Sequence, residues 1–197
     1  ELTRLLDISE STARRDITEL DKAGRLVKVF GGAVASKHNY LLTEPTVAQK
    51  KEVHREEKKR IARYAASLIE PQDFVYLDAG TTTGYMLDYL GQTSATFVTN
   101  AVAHAQKLAA GGGHVLLVGG TLKSSTEAVV GTMAALTLKD YHFTKGFFGT
   151  NGANREAGFT TPDANEALVK RTALEQCQKA YILCDSSKFH MVSSVTF

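Results

Sequence analysis

Phe74-Val75-Tyr76-Leu77-Asp78-Ala79-Gly80-Thr81-Thr82-Thr83 is the stretch that decides the fold. Four apolar residues run straight into Asp-Ala-Gly and then into three threonines. An uninterrupted apolar run suits a strand buried on both faces, as in a parallel sheet. Gly80 permits a turn with positive φ or a close backbone approach. Thr81, Thr82 and Thr83 offer hydroxyls and backbone amides at the positive end of a following helix. A strand, a glycine turn and a hydroxyl-rich helix start form an anion site, or else an ordinary loop with a threonine cap.

The pattern recurs, which favours the anion site. Ala95–Val98 ends in Thr99-Asn100, and His114–Val118 in Gly119-Gly120-Thr121. Gly146–Phe148 ends in Gly149-Thr150-Asn151-Gly152, and Ala180–Cys184 in Asp185-Ser186-Ser187-Lys188. Helices are expected between these strands at about 82–90, 102–110, 131–138 and 163–176. The alternation predicts an α/β fold with a mainly parallel sheet. Ligands of such sheets bind outside the carboxyl ends of the strands. Lys123–Glu127 reads as a polar connection able to act as a lid, and Val192–Phe197 as one more short apolar run.

The totals bound the class. A chain of 197 residues holds one substantial domain and a small one. No apolar run approaches the roughly 20 residues that span a bilayer, so no membrane partner is expected. The two cysteines, Cys177 and Cys184, have no metal-type spacing and are expected to be unpaired. Cys184 reads as a core thiol, and the compartment as a reducing cytoplasm. Residues 1–63 carry a net charge of +4 and residues 64–197 one of −2. A basic N-terminal piece hints at nucleic acid. The chain opens on Glu1 without a methionine and reads as a fragment beginning inside a domain.

The N-terminal piece reads as two short helices and a hairpin. Leu2, Leu5 and Leu6 form one helical face. A second helix is expected over about 10–23, with Ser9 as its cap, Ala13, Ile17 and Leu20 inward, and Gly24 as its stop. Its outward face begins Ser11-Thr12 and continues Arg14-Arg15, the chemistry of a recognition helix. Leu26–Phe30 followed by Gly31-Gly32 reads as a wing, with Lys28 facing the DNA backbone. Residues 36–46 read as a loop. Val47–Ile69 reads as one long helix, charged on its outer faces, leading to the sheet. The expected organisation is 1–36 for the DNA-binding piece, 37–70 for linker and helix, and 71–197 for the sheet domain.

These motifs together resemble the DeoR-type bacterial sugar-operon regulators over nearly the whole chain. They are Ser9–Ile17 with Gly31-Gly32-Ala33, then Glu57-Lys58 before Ile61-Ala62, then Asp78–Thr83. Thr99-Asn100, Gly119-Gly120, Gly149 with Gly152, Gly158–Thr161, Glu166 and Asp185–Phe189 follow in order. The resemblance implies a partial winged helix-turn-helix repressor, lacking the first helix and shortened at its C-terminus. Its sensor domain would be similar to ribose-phosphate isomerase and CoA-transferase folds. The implied partners are operator DNA, a phosphorylated sugar and further copies of the chain in a dimer or tetramer. Fructose 1-phosphate and tagatose 6-phosphate both fit. No cofactor is implied.

The residue chemistry agrees with that implication. A sugar phosphate needs amides and a cation for its dianion and acceptors for its hydroxyls. Gly80–Thr83 supply the first and Lys188 the second, with Lys58 as a further cation on the charged helix. Asp78, Asn100 and Asp185 bind hydroxyls or position the lysine. Alternatively Asp78 caps the turn, Asn100 makes an Asx turn, and Asp185 pairs with Lys188 as a loop salt bridge. Gly119, Gly120, Gly149 and Glu166 complete the candidate rim. His104 and His114 read as structural. A competing reading is a sugar-phosphate isomerase, for which Glu166 and Asp185 are the candidate bases.

Overall fold

The computed structural model describes residues 2–22, 25–35 and 46–197. The expected helix stop at Gly24 and the loop at 36–45 lie outside them. The chain divides into two units, residues 1–39 and 40–197.

In the smaller unit α1 (Leu2–Leu5) and α2 (Glu10–Lys22) precede a hairpin of β1 (Leu26–Val29) and β2 (Gly32–Ala35). Ser9 caps as expected, its Oγ accepting the Thr12 amide at 3.1 Å. Ala13 is buried and Arg14 and Arg15 point out. Gly31, at φ 80°, makes the hairpin turn.

The larger unit starts with α3 (Val47–Glu52) and α4 (Arg55–Ser67). The single helix expected over 47–69 is therefore two. His54 sits at φ 53°, a left-handed conformation that no α-helix continues. Periodicity missed the break because Val53 and His54 carry no glycine or proline. Both helices belong to this unit rather than to a separate linker: Ala62, Ala65 and Ala66 of α4 enter its core.

Next come β3 (Phe74–Leu77), α5 (Thr81–Met86), β4 (Thr96–Thr99), α6 (Val102–Ala110) and β5 (His114–Leu117). A hairpin, β6 (Thr121–Lys123) and β7 (Ala128–Val130), leads to α7 (Thr132–Leu138) and β8 (Phe143–Gly149). β9 (Gly152–Asn154), β10 (Gly158–Thr161), α8 (Ala164–Glu175), β11 (Cys177–Leu183) and β12 (Val195–Thr196) complete the unit. The five expected strands form one parallel sheet in the order β11-β8-β3-β4-β5. Side chains alternate across it. Val75, Leu77, Phe97 and Phe147 pack under α4, α5 and α6, while Tyr76, Val98 and Phe148 pack under α7 and α8. Each such fully buried aromatic stabilises by about 1.5–3 kcal/mol. The antiparallel sheet β12-β10-β9 was not expected; its strands are too short to carry a period.

The topology creates one crevice. From β3 the chain winds outward through β4 and β5. It then returns to lay β8 on the other side of β3. The strand order therefore reverses between β3 and β8, the place where doubly wound sheets bind ligands.

Candidate functional site

A solvent-open cleft lies at that switch point. Three strand ends supply its floor. Ala79–Thr82 follow β3, Gly149–Asn151 close β8, and Leu183–Asp185 close β11. Lys50 of α3, Lys58 of α4, Lys188, Thr126, Glu166 and Lys170 line its walls.

One group of lining residues is cationic. Lys58 is buried, and its ammonium donates to the carbonyl of Lys50. Burial holds it below its ordinary value; Asp185 pulls it back up, while Lys188 and Lys50 push it lower. Asp185 caps the short 3-10 turn Ser186–Lys188, accepting the Ser187 amide at 3.0 Å. Burial opposes its charge, but the bonds from Ser187 and the nearby Lys188 and His54 hold its carboxyl below the ordinary range. Lys58 and Lys188 thus meet around the Asp185 carboxylate, with Lys50 beside Lys58.

A second group centres on Glu166. Its Oε1 accepts from the Thr126 hydroxyl at 2.6 Å and Lys123 at 3.3 Å, and its Oε2 from Thr161 at 3.2 Å. Asp163 caps α8, accepting the Glu166 amide at 3.0 Å, and pairs with Lys123 at 3.2 Å. Lys123–Glu127, expected as a lid, is in fact the tip of the β6–β7 hairpin and is pinned to α8.

Between the groups lies a buried ion pair. Lys170 and Asp78 are 5% and 1% exposed and bond directly. Lys170 also donates to the Gly149 carbonyl at 3.0 Å, and Asp78 accepts the Gly149 amide at 2.9 Å. Burial pushes the Asp78 carboxyl up, against the pull of Lys170 and that amide. Asp78 therefore neither caps the threonine turn nor reaches the cleft wall. It ties β3 to β8 beneath the cleft.

Of the expected effector residues, the structure brings Lys58, Gly80, Thr81, Thr82, Gly149, Glu166, Asp185 and Lys188 to the cleft. Five are not on its lining. Asp78 lies below it. Thr83 is buried and donates to the carbonyls of Asp78 and Gly80 at 2.7 and 2.9 Å instead of capping α5. The N-cap is Gly80, whose backbone is extended; its hydrogen allows close approach, since a Cβ there would stand 3.2 Å from Thr83 Oγ1. Asn100 makes no Asx turn. Its Oδ1 accepts from the Tyr76 hydroxyl at 3.1 Å and the Ala79 amide at 2.9 Å, and its Nδ2 donates to Val129. Gly119 and Gly120 lead into β6. Gly120, at φ 151°, lies where a Cβ would meet Val129 and the Val130 carbonyl at 3.0 Å. Asp185 and Lys188 do not close the expected loop salt bridge and attract only through space.

Sequence reasoning missed Lys50, Thr126 and Lys170; Thr150 and Asn151 stood in a strand end marked as rim but were not singled out as site residues. The Asn-Glu-Ala-Leu-Val-Lys run of α8 held a clue. Glu166 and Lys170 are four apart and so share one helix face. Cys177 and Cys184 are both free, as expected, but Cys184 is half-buried just past β11 rather than in the core. Burial pushes both thiols up, Cys177 to about 12.

His104 is structural, as expected, and sits behind the Gly80 turn. Burial holds its imidazole near 4, despite a contact to the Gly80 backbone that pulls upward; Lys107 adds to the lowering. A Cβ at Gly84 would stand 2.9 Å from its Nε2. The ring is neutral in the folded unit but protonates in the unfolded chain below about pH 6.5. Its stabilising contribution is therefore intact above pH 6.5 and lost as pH falls towards 4. Urea unfolding should show a loss of about 2 kcal/mol between pH 7 and pH 5 that His104→Gln largely removes. An equal loss in wild type and variant would contradict this assignment.

In the smaller unit, Arg14 and Arg15 have side chains 76% and 79% exposed, each within reach of a glutamate one turn away. Lys28 is exposed and donates to Thr18 at 2.9 Å. Ser11 and Thr12 are exposed and share hydrogen bonds with Ser9 at 2.8 Å. All five expected DNA contacts are thus on the surface of this unit.

Comparison with known proteins places this geometry. The family model described as the DeoR C terminal sensor domain matches residues 53–197, and that of the DeoR-like helix-turn-helix domain matches residues 1–39. The transcriptional regulator FruR of Bacillus subtilis, itself described as uncharacterized, is 43% identical over 198 residues, covering all of this chain and 78% of that protein. The lactose phosphotransferase system repressor of Streptococcus mutans is 33% identical, covering 95% of this chain and 75% of the repressor. The putative aga operon transcriptional repressor of Escherichia coli O157:H7 is 31% identical, covering 98% and 72%. Among solved structures, ribose 5-phosphate isomerase A of Methanocaldococcus jannaschii matches with a TM-score of 0.51 at 12% identity. That match covers 68% of this chain and only 54% of the isomerase, and it shows the fold alone. The relatives that share the whole chain are named as regulators and not as enzymes. A helix-turn-helix unit followed by a parallel-sheet sensor, matched over both parts, makes this chain a member of the DeoR family of transcriptional regulators.

Proposed function

We propose that the cleft binds a phosphorylated sugar and that binding releases the repressor from operator DNA. The observation that carries this reading is the division of the cleft. Lys50, Lys58 and Lys188 converge where a dianion would sit, and Glu166 with Asn151 and Thr126 faces the rest of the ligand. Cations and amides hold phosphate, and a carboxylate and an amide side chain read hydroxyls. The Streptococcus mutans relative is named for a phosphotransferase system, which agrees with a phosphorylated ligand. Of the two candidate isomerase bases, Asp185 is driven away from the near-neutral pKa of a working base, and Glu166 has both oxygens engaged by Thr126, Lys123 and Thr161. No described helix is long and apolar enough to cross a membrane; we read the regulator as cytoplasmic because its proposed partner is operator DNA.

On the DNA side, α2 is read as the recognition helix, with Ser11, Thr12, Arg14 and Arg15 at its start and Lys28 on the wing. Binding to two half-sites calls for a dimer or a tetramer. Arg14→Ala or Arg15→Ala should weaken operator binding and lower its salt dependence by about one unit of slope, with phosphosugar binding intact. Operator titrations across salt concentrations check this. Unchanged affinity and slope in both variants would remove this helix from the groove.

A further inference from the structure

The β6–β7 hairpin is held at its base by Asn100 and at its tip by contacts to α8 and α3. At the base, the Asn100 carbonyl accepts the Val129 amide at 2.7 Å, and Asn100 Nδ2 donates to the Val129 carbonyl at 3.1 Å. At the tip, the Thr126 hydroxyl donates to Glu166 in the cleft. The adjacent Ser125 carbonyl accepts the Val47 amide at 3.2 Å. Val47 is the first residue of α3, so its amide is among those a helix cannot satisfy internally. Neighbouring residues of one turn therefore hold the cleft carboxylate and the start of α3. In sequence, α3 is the described element of the larger unit closest to the DNA-binding unit.

We propose that this tip is the transmitter of the ligand signal, with Thr126 as its positioning residue. The inference rests on the reading of the cleft as a phosphosugar site. Glu166 already accepts bonds on both carboxylate oxygens. A sugar hydroxyl that donates to Oε1 competes with Thr126 for it. Once Thr126 lets go, the turn loses the bond to Glu166 nearest Ser125, and the Ser125 carbonyl moves off the Val47 amide. The first turn of α3 then loses its anchor on the sensor. Ligand recognition at Glu166 becomes a change at the helix that leads to the DNA-binding unit. The coupling needs no movement of the sheet, whose strands stay fixed by Asn100 and the Lys170–Asp78 pair.

The test uses ligand-free protein and hydrogen exchange of the α3 amides at 48–52. Thr126→Val removes the donor and should raise exchange there about fivefold, the opening expected from one lost hydrogen bond. Thr126→Ser keeps a hydroxyl and should exchange like wild type. Val47→Pro deletes the amide itself and should match Thr126→Val. Proline suits the first helical position, and Thr46, at φ −64° and ψ 163°, already has the conformation that precedes proline. Val47→Ala keeps the amide and should stay near wild type. Wild-type exchange in Thr126→Val would overturn the link through Glu166. Wild-type exchange in Val47→Pro would overturn the anchor. Because no sugar is present, either failure leaves the phosphosugar reading standing. Failure of that reading shows instead in a titration with fructose 1-phosphate.

Discussion

Lys170→Ala should destabilise the sensor unit by about 3–5 kcal/mol, read as a lower urea midpoint with an unchanged slope. The reason is the burial of its partner. Asp78 is 1% exposed, and Lys170 is the cation that bonds it. Removing the lysine leaves a carboxylate out of water with only the Gly149 amide, or forces it to take up a proton. The lysine also lies 5.2 Å from the centre of the Phe197 ring and donates to the Gly149 carbonyl. One side chain thus joins β3, β8, α8 and the end of the described chain. The double variant Asp78→Asn/Lys170→Met removes both charges and keeps an acceptor for the Gly149 amide. It should recover most of the loss, because a buried pair adds little over a neutral replacement of similar size. A single variant as stable as wild type would show that water reaches Asp78 and that the pair is not structural.

Lys188→Ala should give a repressor that stays on its operator in the presence of phosphosugar. Losing one charge-assisted contact to a phosphate weakens binding by about 1.5–3 kcal/mol, or roughly 10- to 150-fold. Operator affinity without ligand should be unchanged, since Lys188 belongs to the 3-10 turn at the sensor rim. Lys58→Met should act in the same direction and also loosen α3, because the Lys58 ammonium holds the Lys50 carbonyl. Linkage adds a check: operator must weaken effector binding by the factor with which effector weakens operator binding. Operator titrations with and without fructose 1-phosphate, for wild type and both variants, read these effects. Normal release of Lys188→Ala at the wild-type ligand concentration would take this residue out of the mechanism.

The sheet was legible in the sequence because its strands are buried on both faces. Phe74–Leu77 and the four runs like it are continuous apolar stretches that end in small polar residues. All five became neighbours in one parallel sheet. α6 was read at its observed bounds. The break at His54 was not legible, because a left-handed histidine has no sequence signature of its own. At the site, residues that follow strands were found, since strand ends mark the rim. Lys170, Thr126 and Lys50 were missed because they reach the cleft from helix faces and a hairpin tip, which only the packing brings together. Asp78 and Asn100 were assigned to ligand because both are polar at strand ends. Their side chains turn inward instead, to Lys170 and to Tyr76, Ala79 and Val129. Gly119 and Gly120 show the same limit: a glycine pair after a strand serves a turn as readily as a ligand.

The most direct test is the thermal stability of the protein with fructose 1-phosphate, tagatose 6-phosphate, their unphosphorylated sugars and inorganic phosphate. The account predicts that one phosphosugar stabilises the sensor by about 2.7 kcal/mol at 100 times its Kd, and that its free sugar at the same concentration does not. Equal stabilisation by the free sugar, or none by any phosphosugar, would contradict it.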